Sequence, residues 1–288
     1  MNVRVTLLLV VSVLAFTANP LLARLAVATR EMDALGYTGV RLASGALVLF
    51  VIIWWRHRRA NGEPLRIAGT WAGAASLFAY AITYSIAFLV VGAAVGSVIL
   101  FAAVQIAILA WAILKGDRPG PLEWAGLALA FASLCYLVSP GLVAPDPLGS
   151  LLMIVSGVAW AAYTLIGRGS RAPVEDTAGN FIRLLPISIP FIAAGLLVQT
   201  PTTLGLVYAI TSGAISSGLG YAIWYAVLPS ITRSRAAFVQ LTVPALAAFG
   251  AVIFLSEPIT LRLVVSSIGI LGGAALALWA AGARAGVK

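Results

Sequence analysis

The 288-residue chain is 61% hydrophobic and 9% charged, with a mean hydropathy of +1.05, so it has too few polar side chains to coat a water-soluble globule. The surrounding solvent must be largely lipid. Its formal charge of +9 comes from 18 basic and nine acidic residues, most of them in or beside the breaks between apolar runs. That placement reports membrane topology and removes the case for a nucleic-acid partner.

Ten apolar runs of roughly spanning length follow one another at 5–27, 35–55, 70–91, 94–114, 122–140, 148–167, 179–199, 203–228, 235–256 and 260–281. A bilayer core of about 30 Å needs about 20 helical residues. The breaks at 56–64, 115–121, 140–147 and 168–176 combine charge with Gly or Pro. No period-two alternation suggests barrel strands. The expected fold is therefore an all-α integral membrane protein of ten transmembrane helices. Arg4, the apolar stretch to Phe16 and Ala26-Val27-Ala28 also fit a cleaved signal peptide. Ala28 lies far past that stretch, Arg24 intervenes, and removal would leave nine runs, so the segment is read as the first helix.

Tyr80-Ala81-Ile82-Thr83-Tyr84 is echoed 141 residues later by Tyr221-Ala222-Ile223-Trp224-Tyr225, with four identities in five. The same offset aligns Val98 with Val239, Leu100 with Leu241, Ala107 with Ala248 and Ala110 with Ala251. Five runs lie on each side of 140–147. The chain reads as a duplication, residues 1–144 and 145–288. Five crossings are an odd number, so the second copy is expected to be inverted, an architecture recurrent in transporters.

With the N-terminus inside, Arg4, Arg56, Arg58, Arg59, Arg66, Lys115, Arg118, Arg168, Arg171, Arg233, Arg235, Arg284 and Lys288 fall on the cytoplasmic side, against Arg24, Arg30 and Arg262 outside. Both termini are thus expected in the cytoplasm. Trp54, Trp55, Trp71, Trp111, Trp124 and Trp279 sit at the cytoplasmic ends of their runs and read as a headgroup belt.

Trp160 is set apart by its depth. With Tyr163 and Thr164 it forms an aromatic and hydroxyl group in the sixth run, near the level of Phe16 and Asn19 in the first. Tyr80 and Tyr84 share one helical face, as do Tyr221 and Tyr225. These nine residues are the candidate substrate-binding set. Aromatic walls with hydroxyl and amide tips suit amphipathic organic solutes, although interhelical packing is the plainer role for any one tyrosine. Gln105 and Gln240 fit a cavity or an interhelical bond equally well.

Arg41 and Arg183 are the charges well inside spans and need partners. Glu257 for Arg41 and Asp117 for Arg183 are the expected ones, as static pairs or as latches made in one conformation. Pairing of Arg41 with Glu31 or Asp33, of Arg183 with Glu175 or Asp176, or snorkelling to headgroups are the alternatives. All nine carboxylates fall in loops or at helix ends, which leaves no midplane proton or sodium site and points to facilitated diffusion. Pro20, Pro186 and Pro190 are expected to bend their helices, and Ser216-Ser217-Gly218-Leu219-Gly220 to soften the eighth. Gly269 and Gly273 form a small-xxx-small pattern suited to packing or a dimer contact.

Neither an enzyme nor a metal or cofactor site is expected. There is no acidic pair within a span, zinc cluster or phosphate loop, His57 stands alone in an arginine-rich loop, and the single Cys135 reads as inert packing.

The paired runs, Arg41 and Arg183 near the start of the second helix of each half, and Asp117-Arg118 and Glu257-Pro258 after each fourth helix resemble the drug/metabolite transporter superfamily in its two-copy EamA-type branch. The resemblance covers essentially the whole chain. The aromatic residues of the third and sixth helices look most like the bacterial aromatic amino-acid exporters of the YddG type. That likeness implies alternating-access export of aromatic and other neutral amino acids through the bacterial inner membrane, with lipid and small solutes as partners and no cofactor. Nucleotide sugars, drugs, or a lipid or metabolite channel are the alternatives, and the oligomeric state is open, a monomer included.

Overall fold

The computed structural model describes residues 3–59, 67–116, 119–139, 144–167, 170–227, 230 and 233–285, the side chains of 109, 138, 225, 233–238, 240, 241, 281, 284 and 285 apart. Among these residues the chain is helical, with no strand. The first half holds α1 (Val3–Val27), α2 (Ala34–Arg59), α3 (Trp71–Ala87), α4 (Ala93–Leu114) and α5 (Pro121–Val138). The second holds α6 (Pro147–Ile166), α7 (Pro173–Arg183), α8 (Leu185–Val198), α9 (Thr203–Ile210), a π-helical segment (Thr211–Leu219), α10 (Gly220–Val227), α11 (Arg233–Leu255) and α12 (Leu261–Ala285).

The sequence marks the helix starts locally. Thr70, Asp146 and Thr202 accept the backbone N–H of Gly73, Gly149 and Gly205, and Asp33 accepts those of Leu35 and Gly36. Pro121, Pro147 and Pro173 open α5, α6 and α7, where a missing N–H costs nothing. Between α7 and α8 the axis turns by 47°. Pro186 sits there at the first turn of α8 and has no N–H to continue the ladder.

Among the described residues six helical stretches, Thr203–Trp224 counted as one, are long and apolar enough to cross a membrane, or seven if the bent pair α7–α8 is one span. The 17 residues of α3 rise about 25 Å, short of a full hydrocarbon core, and the described apolar part of α11 is Thr242–Leu255. The many apolar runs make this a multi-pass membrane protein, and its surface agrees. Leu197, Leu114 and Leu261 are 90%, 80% and 78% exposed, while Ser12, Thr38, Ser85, Ser156 and Ser212 are buried. Several buried hydroxyls donate to the carbonyl four residues back, as Thr38 does to Ala34 and Ser85 to Ala81, so their burial leaves no orphan. Cys135, expected inside, is exposed on α5.

Helix contacts come in mirrored pairs. The α3–α6 contact has its image in α1 against α9, the π segment and α10, and α4–α6 has its image in α1–α11. The contacts α2 with α7–α8, α4–α11 and α5–α12 join corresponding helices of the two halves. At the last of these, a methyl on Gly126 would lie 2.5 Å from the Gly273 carbonyl oxygen and one on Gly273 2.5 Å from that of Gly126. The backbones therefore touch, and the small-residue pattern of α12 serves packing within the chain.

Candidate functional site

Where the two halves meet, a cavity opens onto about 530 Å³ of atom-free space, part of it continuous with the surroundings. Its walls are Phe16, Asn19 and Pro20 of α1, Tyr80 and Tyr84 of α3, Ser97, Leu100 and Phe101 of α4, Trp160 of α6 and Tyr221 of α10. Six of the nine expected binding residues, Phe16, Asn19, Tyr80, Tyr84, Trp160 and Tyr221, thus come together.

The aromatic rings form one continuous contact series. Trp160 lies 4.8 Å from Tyr80 and 5.3 Å from Tyr221 between ring centres. Tyr80 continues to Tyr84 at 5.3 Å and Tyr84 to Phe88 at 4.6 Å. On the other side Tyr221 meets Phe16 at 5.6 Å, edge to face, and Phe16 meets Trp224 at 5.7 Å. Each such contact is worth about 0.5–1.5 kcal/mol beyond area burial, so the rings hold one another in place and present fixed faces to the cavity.

Other expected members face elsewhere. Tyr163 is buried beside Trp160 but turns toward α7, where its hydroxyl donates to Thr177 Oγ1 at 3.3 Å. Thr164 is exposed and its hydroxyl donates to the Trp160 carbonyl, so it takes no part in the cavity. The Tyr225 side chain lies outside the described residues, as do Asp117 and the Gln240 side chain. Gln105 is half-buried and outside the lining. Sequence reasoning missed the α4 wall of Ser97, Leu100 and Phe101. Phe101 was its one available signal, an aromatic at mid-run away from the Trp111 belt position.

The π segment lies against α2 and α1. Ser212 donates to Asn19 Oδ1 at 2.8 Å, tying it to the turn of α1 that holds Pro20. Asn19 is thereby oriented from behind. π turns are rare and, where they occur, often lie at functional sites, because the extra residue breaks the regular ladder and re-aims side chains.

Arg41 is 2% exposed and holds no ion pair among the described residues. Its Nη2 donates to the Tyr80 hydroxyl at 3.1 Å and its Nε to Ser217 Oγ of the π segment at 3.4 Å. The guanidinium carbon lies 5.3 Å and 5.0 Å from the ring centres of Tyr80 and Tyr84. The expected Arg41–Glu257 pair is therefore not made in this conformation, nor is a pair to Glu31 or Asp33. Glu257 instead accepts the N–H groups of Ala93 and Ala94 at 2.7 and 3.1 Å at the start of α4, and faces Arg24 at 3.6 Å. A carboxylate gains more at a helix N-terminus with a nearby cation than by crossing apolar space to Arg41.

Arg24 also donates to the Phe88 carbonyl at 2.6 Å, so one cluster joins α1, the end of α3, the start of α4 and the α11–α12 connection. Glu257→Gln is expected to lower stability by about 2 kcal/mol, read as a drop of several degrees in the melting midpoint in detergent. An unchanged midpoint would show that the cluster is only a surface arrangement.

Arg183 is likewise not paired with Glu175 or Asp176. Its Nη1 donates to the carbonyls of Ala68 and Gly179, the latter at 2.9 Å. Around it Asp176 accepts from Gly69 N and Asn180 from Thr70 N, both at 2.8 Å, while Glu175 pairs with Arg56 at 3.2 Å. These bonds clamp α7 to the segment leading into α3. The six expected belt tryptophans are all exposed, from 40% for Trp54 to 71% for Trp71, and Arg58, Arg59 and Lys115 lie over Trp54, Trp55 and Trp111. No cluster of metal-ligating side chains occurs among the described residues.

Comparison with known proteins gives a consistent result. The EamA-like transporter family model matches residues 4–139 and again 147–279. An uncharacterized protein of Pseudomonas aeruginosa is 44% identical over 275 residues, 96% of this chain and 94% of that protein. The threonine/homoserine exporter RhtA of Escherichia coli is 30% identical over 236 residues, 78% of this chain and 75% of the exporter. A protein crystal structure 20% identical in sequence shares the fold, with a TM-score of 0.64 over 99% of this chain and all of that one.

Proposed function

Because the chain belongs to the EamA-like transporter family, we propose that it exports neutral amino acids, aromatic ones among them, by alternating access around the cavity between its halves. The observation that carries this reading is the cavity itself, with aromatic faces from α1, α3, α6 and α10, hydroxyl and amide tips, and no carboxylate among the described residues of its lining. Such walls take an amphipathic solute and offer a bare cation no counter-charge. The RhtA likeness supports amino acids as the class.

In this reading ten helices, with α7–α8 as one bent span and α9, the π segment and α10 as another, form two inverted repeats of five. The mirrored contact pattern supports that arrangement. The termini lie in the cytoplasm of a bacterial inner-membrane protein, a placement that the basic clusters support. The two halves rock about the cavity so that it opens to each side in turn. Substrate runs down its own gradient in this reading, which the placement of all nine carboxylates in loops or at helix ends of the sequence supports.

The test is counterflow of labelled phenylalanine, tryptophan, threonine and homoserine in proteoliposomes, with and without an imposed pH gradient or membrane potential. Saturable counterflow independent of both gradients is expected. No flux of any of the four through folded, inserted protein would overturn the amino-acid reading.

A further inference from the structure

The two arginines of the membrane interior have diverged. Arg183 spends its Nη1 on the carbonyls of Ala68 and Gly179. Arg41 leaves Nη1 without a protein partner while fully enclosed, and the Tyr84 hydroxyl, also buried, lacks one too. Both orphans belong to one group of side chains, because the Arg41 guanidinium lies against the rings of Tyr80 and Tyr84, and those two rings are cavity wall.

A buried cation is expensive unless a counter-charge or a full set of acceptors surrounds it. Ring faces and two hydroxyls satisfy part of this guanidinium, and the open Nη1 keeps one side of its donor fork available. A planar fork with free N–H groups is matched by a carboxylate. Tyr84, whose ring lies 5.0 Å from the same guanidinium, carries a further buried and unpartnered donor in its hydroxyl.

We infer that Arg41, with Tyr84, is the receptor for the carboxylate of the transported solute. The inference rests on the export reading above and narrows it. The carboxylate enters past Tyr84, whose ring swings aside, and takes two donors, Arg41 Nη1 and the Tyr84 hydroxyl. The rest of the solute lies against Trp160 and Tyr221. Arg41 thereby gains the counter-charge that no described side chain provides, and the site prefers an α-amino acid to its amide or its decarboxylated amine.

The experiment measures ligand-induced shifts of the melting midpoint of the full-length protein in lipid nanodiscs. The probes are L-phenylalanine, L-phenylalaninamide and 2-phenylethylamine, with chloride titrated separately from a chloride-free buffer. For the wild type, half-saturation is expected at a concentration about 10- to 100-fold lower for phenylalanine than for the amide or amine, the scale of a charge-assisted hydrogen-bonded pair. In Arg41→Gln the ratio is expected to fall to about one, and in Arg41→Lys part of it is retained because a point charge cannot reproduce the fork. If Arg41→Gln does not fold, Tyr84→Phe decides, with an expected several-fold loss of the same ratio.

Equal affinities in the wild type, or a ratio unchanged in Arg41→Gln, would overturn the inference while leaving amino-acid export standing. A shift from chloride with none from phenylalanine would also overturn it, by giving the cation to a free anion. Absence of amino-acid counterflow strikes the export reading and is scored separately from the binding ratio.

Discussion

Trp160→Ala is expected to raise the half-saturating substrate concentration about 30-fold or more while the protein still inserts and folds. Trp160 is the ring on which both sides of the cavity converge, in contact with Tyr80 on α3, Tyr221 on α10 and Tyr163 on its own helix. Removing it deletes the face on which a solute stacks and frees Tyr80 and Tyr221 to collapse into the space. A central aromatic anchor of this kind is typically worth about 2 kcal/mol or more of binding, and each 1.4 kcal/mol is tenfold. Trp160→Phe should recover most of the loss. Trp124→Ala and Trp279→Ala, at exposed belt positions, should leave transport unchanged. Wild-type saturation kinetics in folded Trp160→Ala would show that the cavity does not bind the transported solute.

The membrane character and the main helix breaks are legible because they depend on composition and on Pro, Gly and charge at short range. The bend before Pro186 is of that kind, since a missing N–H acts on its own helix. Aromatic residues deep in apolar runs are legible as well, being too polar at the tip and too large for idle lipid contact. Tyr80, Tyr84, Trp160 and Tyr221 were visible for that reason, and Phe16 by its depth beside Asn19.

What escaped depends on contacts across the chain. In α4 nearly every residue is apolar, so periodicity carries no contrast and cannot say that Leu100 faces a cavity. Thr164 looks like a polar lining residue, but a threonine satisfied by the carbonyl four residues back is content facing lipid. Arg41 was misjudged because charge was matched with charge, while the Asp117 expected for Arg183 lies outside the described residues. Arg41 is held by rings and hydroxyls, Arg183 by carbonyls, and Glu257 by amides 163 and 164 residues away. None of those partners carries a charge that would advertise it in sequence.

These misreadings share a consequence for mechanism. A latch built from Arg41 and Glu257 would place switching at the periphery, at a single ion pair. Observed contacts place Arg41 at the join of α2, α3 and the π segment, directly behind the cavity wall. With the solute's carboxylate bound as inferred above, substrate and scaffold would meet at one point. Displacing Tyr84 changes what Arg41 touches, and Arg41 touches Ser217. Occupancy of the cavity can in this way bias the packing of the π segment on α2, a local contact difference of the sort that differential binding requires.

Gly213→Ala is accordingly expected to damage both stability and transport. A methyl added at Gly213 would sit 2.1 Å from the Arg41 carbonyl oxygen and 2.1 Å from Ser44 Oγ. The serine can rotate but the carbonyl belongs to α2, so the π segment must lift away by an ångström or more. That shift stretches the Arg41–Ser217 bond, already 3.4 Å, and pulls Ser212 from Asn19. Overpacking alone costs about 1–3 kcal/mol, and two bonds lost from buried groups add a similar amount. The melting midpoint in detergent should drop by well over the few degrees expected for Glu257→Gln, and transport by the surviving folded fraction should fall about tenfold or more. Gly272→Ala is the matched control, since a methyl there meets nothing within 4 Å. If Gly213→Ala melts with the wild type, the π segment is not seated on α2 tightly enough to relay anything. If it is destabilised yet transports normally, the segment is scaffold, and the link from Arg41 through Ser217 plays no part in moving the substrate.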